Sequence, residues 1–176
     1  MSPQHHSANT ILEDWNRLGE SDATEVILPC NGSKAWAVGM VDTRSFRTPE
    51  ELFSASDTVW MGLTAAGWQE AFDSHPRIGE QTAKGATAKS LEWSRSEQSG
   101  PTDDGDMQMK LAAGNKAYEH RFGRIFIVCA SGKTAGEMLA ILESRLMNDA
   151  APELKEAAEQ QRQITQLRLR KWLGIR

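Results

Sequence analysis

The sequence is poor in the residues that build disulfide or metal sites. Its two cysteines, Cys30 and Cys129, lie far apart and form no C-x-x-C pair. This spacing argues against a disulfide framework and a cysteine-rich metal site, and favours two small buried residues in a reducing compartment. The four histidines form neither H-x-x-x-H nor H-E-x-x-H spacing. We therefore predict no metal site and no metal cofactor.

Long apolar runs and an excess of basic residues are also missing. No apolar stretch approaches the roughly 20 residues that span a bilayer, and the first ten residues have no apolar centre of the kind a signal peptide needs. The chain ends in Gly-Ile-Arg and not in a Ser-Lys-Leu peroxisomal signal. The net charge of −4 gives no basic surface for nucleic acid. We expect a cytoplasmic protein with no membrane and no nucleic-acid partner.

Apolar residues at helical spacing dominate the rest of the chain. The pattern recurs in short stretches between residues 9 and 74, then at 90–99, 106–121, 134–146 and from 151 onward. Residues 125–129 alone have strand character, and one strand cannot form a sheet. The sequence predicts an all-α, single-domain bundle of about eight helices with short connections over 10–176, after a flexible tail at 1–9. Residues 125–129 are then a buried extended piece or part of a helix.

Three local signals fix helix ends and part of the core. Thr48-Pro49-Glu50-Glu51 combines a capping threonine with a proline suited to the first turn. Thr134 and Glu137 form a capping box. Tyr118 and Phe122 stand at i and i+4, which predicts a shared core position before a C-terminal glycine.

Residues 131–134 (Ser-Gly-Lys-Thr) follow the strand-like run and precede a helix, as in a phosphate-binding loop. The motif G-x-x-x-x-G-K-[ST] needs glycine at position 127, where this chain has Ile127. The helix cap already explains Thr134. The sequence therefore argues against a nucleotide hydrolase.

The most informative segment is Phe72-Asp73-Ser74-His75-Pro76-Arg77-Ile78-Gly79-Glu80. The residue before a proline is pushed away from helical angles, so His75 should lie where the chain leaves a helix. A ring aimed by a stiff backbone suits acid–base chemistry near neutral pH. The alternative is a helix stop followed by a solvated loop.

Two further polar positions have both functional and ordinary interpretations. Glu97 on a short helix could orient a histidine and raise its pKa, and Gln98 offers a donor and an acceptor to an imide-like ring. Their alternative is a solvated charged helix. Arg168 stands between two leucines on the last helix, a placement that leaves open whether it faces inward or is solvated near the helix end.

Five parts of the sequence, taken in order, together resemble one family. They are His75-Pro76-Arg77-Ile78-Gly79, the segment Ser94 to Gln98, Asn115 with Tyr118, residues 126–130, and Arg168-Leu169. It is that of the 2-oxo-4-hydroxy-4-carboxy-5-ureidoimidazoline (OHCU) decarboxylases, and the resemblance runs from about residue 10 to 173. It implies an all-helical homodimer that needs no cofactor. It also implies decarboxylation of OHCU to (S)-allantoin and CO2, the third step from urate to allantoin in purine catabolism.

The resemblance also implies site roles. His75 is the catalytic proton carrier and Glu97 its catalytic partner. The substrate-binding positions are Pro76, Ser94, Arg95, Ser96, Gln98, Phe126, Ile127, Val128, Cys129, Ala130 and Arg168. No role passes to Arg77 or Glu80, because the stretch after the histidine-proline pair varies in the family, and the loop at 81–90 looks longer than in some relatives.

Two other functions remain open at this point. The apolar stripes could serve a helical module that binds a partner protein without activity. The chain could also be a decarboxylase or hydrolase of a related ureido or imide ring, because Gln98 and Arg168 would recognise many such rings.

Overall fold

The computed structural model describes residues 8–78, 87–97 and 105–175, apart from the side chains of residues 8, 9, 95 and 97. Nine α-helices and no strand form within these ranges, which confirms the predicted all-α class. The helices are α1 (Ala8–Arg17), α2 (Glu20–Ile27), α3 (Lys34–Thr43), α4 (Pro49–Met61), α5 (Ala65–Asp73), α6 (Ala88–Glu97), α7 (Gly105–Phe122), α8 (Ala135–Arg145) and α9 (Ala150–Trp172). No helix in the described ranges is long and apolar enough to cross a membrane.

Helix boundaries follow the predicted signals with small differences. Thr48 accepts a hydrogen bond from the Glu51 N–H at 3.2 Å, and Thr134 and Glu137 form the full capping box. Helix α2 ends at Ile27, because the chain tightens into a 3₁₀ turn over Leu28–Cys30. The proline in that turn has no N–H to continue an α-helix. Residues 8 and 9 belong to α1, while residues 1–7 of the predicted tail lie outside the described part.

Two apolar clusters form the interior. The first packs around Trp15, Trp36, Trp60 and Phe72, and the second lies between α7 and α8. Tyr118 and Phe122 pack in the second cluster with ring centroids 4.7 Å apart, as predicted. Helix α7 then ends at a glycine with φ of 67°, the left-handed conformation expected of a C-terminal glycine.

Residues 125–130 form a buried, extended segment between these two clusters. Ile127 and Cys129 pack in the first cluster, whereas Phe126, Val128 and Ala130 pack in the second. Successive side chains of an extended chain point to opposite sides, which explains the alternation. The segment is therefore an extended piece, the first of the two predicted possibilities.

The interior face of α9 carries polar as well as apolar residues. Gln161, Thr165 and Arg168 are all buried, together with Ile164. Their spacing of three, four and seven residues puts them on one face of the helix. Arg168, whose orientation the sequence left open, faces inward.

Candidate active site

A small cavity lies where the end of α5, helix α6, the extended segment and α9 meet. It is lined by His75, Pro76, Ile78, Ser94, Phe126, Ile127, Val128, Ala130 and Ile164. Seven of these nine residues are predicted site residues, the exceptions being Ile78 and Ile164. The fold thus brings together positions that are far apart in the sequence.

His75 stands immediately beyond the end of α5, as the histidine-proline pair predicts. The backbone N–H groups of Ser74 and His75 donate to the carbonyls of Ala71 and Phe72, each at 3.1 Å. The Ser74 hydroxyl also donates to the Ala71 carbonyl at 2.7 Å. These bonds hold the backbone at the point where the imidazole enters the cavity.

The environment of His75 keeps its ring neutral. Burial, assisted by the positive charge of Arg168, lowers the pKa of His75 from 6.5 to about 3, while the Gln161 side chain acts in the opposite direction. His75 is only 9% exposed, and its Nε2 atom has no hydrogen-bond partner among the described residues. At neutral pH the imidazole can therefore accept a proton.

Arg168 is fully buried and links three elements. Its Nη2 donates to the Ser94 hydroxyl at 2.8 Å, and its Nη1 lies 3.4 Å from both the Ser90 hydroxyl and the Pro29 carbonyl. A positive charge thus lies beneath the cavity wall at Ser94. The neighbouring Cys30 is a free, buried cysteine, and burial raises the pKa of its thiol to about 12. It remains a neutral thiol, which agrees with its predicted role as a small buried residue.

Side chains from the helices satisfy the backbone of the extended segment. Arg145 Nη1 donates to the Ile127 carbonyl at 2.6 Å. The Cys129 N–H donates to Gln160 at 2.9 Å, and Lys133 Nζ donates to the Cys129 carbonyl at 2.7 Å. These bonds replace a neighbouring strand, because buried backbone groups need partners.

Several backbone N–H groups of the segment have no hydrogen-bond partner among the described residues. The N–H groups of Val128 and Ala130, both of which line the cavity, form no hydrogen bond with described residues. A backbone donor without a partner in the protein can bind an oxygen atom of a small molecule.

Five predicted site positions are placed elsewhere or not described. Cys129 packs its side chain in the first apolar cluster and does not line the cavity. Ser96 is exposed, and its hydroxyl accepts from Lys171 Nζ at 3.5 Å. The side chains of Arg95 and Glu97 and the whole of Gln98 lie outside the described residues.

The sequence did not single out Gln161 and Ile164 as site residues. Both lie within the helical pattern that the sequence shows from residue 151 onward. The available signal was the repeated polar residue on this stripe, at positions 161, 165 and 168. A buried face rarely carries three such residues unless they have hydrogen-bond partners.

An all-α fold in which a buried, neutral histidine lines a small cavity beside a buried arginine defines a class: helical proteins with a site for a small polar molecule. The family model of OHCU decarboxylase matches residues 16–170. The chain belongs to the OHCU decarboxylase family.

Individual relatives agree with this assignment. The uric acid degradation bifunctional protein TTL of Arabidopsis thaliana is 36% identical over 144 residues, which are 81% of this chain and 44% of that protein. The chain therefore spans less than half of the Arabidopsis protein. The 2-oxo-4-hydroxy-4-carboxy-5-ureidoimidazoline decarboxylase of Amia calva is 30% identical over 128 residues, covering 72% of this chain and 73% of that one.

Solved structures give the same result. A crystal structure of OHCU decarboxylase in the presence of (S)-allantoin superposes with a TM-score of 0.72 at 35% identity, covering 84% of this chain and 96% of that chain. A structure of (S)-allantoin synthase, at 18% identity and a TM-score of 0.69, covers 92% of this chain and 53% of that chain, and supports the fold alone. The predicted family is confirmed.

Proposed function

We propose that this chain converts OHCU to (S)-allantoin and CO2 without a cofactor, with His75 as the proton carrier. The observation that carries the proposal is that a neutral His75 and six other predicted site residues line one cavity. The relative crystallised in the presence of (S)-allantoin has the same fold at 35% identity. The proposal includes a single domain over residues 10–176, a homodimer and a cytoplasmic location, as the resemblance implies.

The substrate can accept the electrons of the reaction itself. Its carboxylate is on a carbon that bears a hydroxyl and adjoins a C=N bond. When the bond to CO2 breaks, its electron pair moves toward the C=N group, so no external electron sink is required. A proton added to one face of the imine carbon then gives a single enantiomer.

The protein has to align the breaking bond of the substrate, stabilise the negative charge that develops and protonate the imine carbon. The carboxylate must stand out of the ring plane so that the breaking bond aligns with the C=N group. The N–H groups of Val128 and Ala130 are suited to bind substrate oxygens as negative charge develops. Arg168, held by Ser94, supplies positive charge from beneath the wall. His75 moves the proton.

The other substrate contacts of the proposal come from the family resemblance. Glu97 sets the orientation and charge of His75, and Gln98 reads the ring amide as donor and acceptor. Pro76, Phe126 and Ile127 shape the apolar part of the cavity. Arg95, Ser96 and Cys129 complete the proposed substrate-binding set.

The test uses substrate made in place. Urate is converted with urate oxidase and hydroxyisourate hydrolase, and the circular dichroism of the product is followed with and without the protein. We expect rapid formation of optically active (S)-allantoin. Slow, racemic product at the spontaneous rate would refute the proposal and bring forward the binding module and the related-ring enzymes.

A separate substitution tests the role of His75. His75→Ala should lose about 10²–10⁴-fold in rate, the usual contribution of a positioned proton carrier, while its far-ultraviolet circular dichroism stays helical. His120→Ala, on the exposed side of α7, is the matched control and should retain turnover. Near-native turnover by His75→Ala would contradict the proton-carrier role.

A further inference from the structure

The Ser-Gly-Lys-Thr sequence at residues 131–134 belongs to the turn that follows the extended segment. The Lys133 N–H donates to the Ala130 carbonyl at 3.0 Å. Gly132, the third residue of this turn, has φ of 76°, and a type II turn requires a positive φ at that position. Beyond the turn, Lys133 Nζ donates to the Cys129 carbonyl at 2.7 Å. The lysine thus binds the main chain of the segment that lines the cavity.

Lys133 is one of two cationic side chains that bind carbonyls of this segment. Arg145 Nη1 donates to the Ile127 carbonyl at 2.6 Å, and the Cys129 N–H donates to Gln160 at 2.9 Å. In an extended chain the main-chain groups of alternate residues point to the same side. The groups of residues 127 and 129 therefore share one side of the segment, and side chains of the protein occupy that side.

The N–H groups of the two following residues point the other way. In a planar trans peptide the carbonyl of one residue and the N–H of the next point in opposite directions, and both peptides are trans. The N–H groups of Val128 and Ala130 therefore point away from the two cations. Neither has a hydrogen-bond partner among the described residues, although both residues are buried and line the cavity. A buried N–H needs a partner, and a small molecule in the cavity would provide one.

We propose that Lys133 and Arg145 are positioning residues: each holds one peptide plane through its carbonyl and so directs the N–H of that peptide toward a substrate oxygen in the cavity. Lys133 acts on the N–H of Ala130, and Arg145 on that of Val128. Hydrogen bonds in series polarise one another, so a cation at the carbonyl also makes the N–H a stronger donor. The inference rests on the proposed function, because it assigns both donors to the negative charge that develops during decarboxylation.

The guanidinium of Arg145 is itself held by several neighbours. Its Nε and Nη2 donate to Glu153 at 2.9 and 2.5 Å, and Glu153 also accepts from the Tyr118 hydroxyl and from Asn148. The guanidinium carbon lies 4.8 Å from the ring centroid of Phe126, a cavity residue. Loss of this buried ion pair would destabilise the whole protein. Arg145 is therefore a poor residue for a first substitution.

Lys133 allows a cleaner test. It is half-buried, and its side chain makes one hydrogen bond among the described residues, to the Cys129 carbonyl. The sequence contains one Cys-Ala pair, at 129–130, and one Ile-Val pair, at 127–128. Protein with ¹³C-carbonyl cysteine and ¹⁵N-alanine therefore gives one carbonyl-filtered amide signal, that of Ala130. Labelled isoleucine and valine likewise give the signal of Val128 alone.

The two signals observe the donors without using activity. In the wild-type protein we expect both amide protons to move to lower field when (S)-allantoin binds, as new hydrogen bonds to oxygen form. Lys133→Met keeps a long side chain and removes the cation, so the Ala130 signal should shift in the free protein and respond less to (S)-allantoin. The Val128 signal should behave as in the wild type.

Two further variants complete the comparison. Lys133→Arg retains a cationic donor and should restore the response of Ala130. Lys155→Met removes an exposed lysine of α9 and is the matched control, which should leave both signals unchanged.

Kinetics distinguish positioning from a general loss of structure. Removal of an oxyanion donor costs about 10²–10³-fold in kcat, and Lys133→Met only weakens and loosens one donor, so we expect a fall of about 10-fold. The donor acts mainly as charge develops, so KM should change less than about threefold. Lys133→Arg should recover most of the turnover, and Lys155→Met should equal the wild type.

The possible failures are separable. A wild-type protein without OHCU turnover would overturn the proposed function and this inference with it. In an active protein, Val128 and Ala130 signals that stay in place at (S)-allantoin concentrations that inhibit turnover would overturn the inference alone, and no variant is needed to see it. A Lys133→Met protein with the wild-type Ala130 signal and an unchanged kcat would overturn the role of Lys133.

Discussion

Burial of a neutral His75 should make the protein less stable in mild acid. The pKa of the ring is about 3 in the folded protein, against 6.5 for an ordinary histidine such as that of the unfolded chain. Between these values the unfolded chain binds a proton that the folded protein does not. This contribution to stability is complete above pH 6.5 and is lost as the pH falls toward 3.

The size of the effect between pH 7 and pH 5 follows from the unfolded chain. At pH 5 the folded ring is still neutral, whereas the unfolded ring is almost fully protonated. Each pH unit below the unfolded pKa removes about 1.4 kcal/mol. The 1.5 units from 6.5 to 5 therefore give a loss of about 2 kcal/mol, for any folded pKa well below 5.

Urea unfolding at pH 7 and pH 5 measures this loss. Carboxylates also change the stability of the wild-type protein over this range, so the comparison is with His75→Gln. We expect its stability to fall by about 2 kcal/mol less than that of the wild type. His120→Gln, on an exposed face of α7, should match the wild type. An equal fall in the wild type and His75→Gln would refute the argument that the folded ring is held neutral.

Two other substitutions test the frame of the site. Arg145→Met removes the charged partner of the buried Glu153 carboxylate, which Arg145 contacts through Nε at 2.9 Å and Nη2 at 2.5 Å. It should cost about 3–5 kcal/mol of unfolding free energy. A loss below about 1 kcal/mol, as for an exposed pair, would show that the pair is solvated. Gly32→Ala should destabilise the protein by more than about 1 kcal/mol, because Gly32 has φ of 94° and a Cβ there would lie 2.0 Å from the Ser74 hydroxyl. Gly123→Ala, with φ of 67° and open space around it, is the control, and an equal cost at both would mean that contact with Ser74 contributes nothing.

The parts of the structure that the sequence predicted depend on interactions between residues that are close together in the sequence. The exit of His75 from its helix depends on the proline that follows it, and this effect acts between adjacent residues. The caps at Thr48 and Thr134 and the pair Tyr118 and Phe122 likewise depend on contacts within one turn or two. Such signals survive in any tertiary context, which is why the structure reproduces them.

The orientation of polar residues on α9 depends on distant partners. Arg168 is buried by hydrogen bonds to Ser94, 74 residues away in the sequence. Gln161 is buried by a bond to the carbonyl of Asn31, 130 residues away. Helical spacing alone gives both side chains a face but not a partner. Their inward positions therefore could not be predicted from the sequence of α9.

The extended segment is a second case: its sequence predicts its conformation but not the groups that bind its backbone. Its composition is that of a strand, and its alternation between two apolar clusters is that of a strand. Its hydrogen-bond partners are Arg145 of α8, Gln160 of α9, and Lys133 of the turn that precedes α8. The strand propensity of a residue reflects how its side chain packs, and it does not predict which groups form hydrogen bonds with the backbone.

The low pKa of His75 also has a consequence for the order of events in the proposed reaction. Loss of CO2 from a carboxylate takes up one proton in total, yet the empty cavity disfavours a protonated ring through burial and through Arg168. A bound carboxylate brings negative charge near the imidazole and raises its pKa. The ring can then hold a proton only while the anionic substrate is present. Transfer of that proton to carbon removes the negative charge of the substrate and the positive charge of the ring together. The imidazole therefore returns to its neutral form when the product is made.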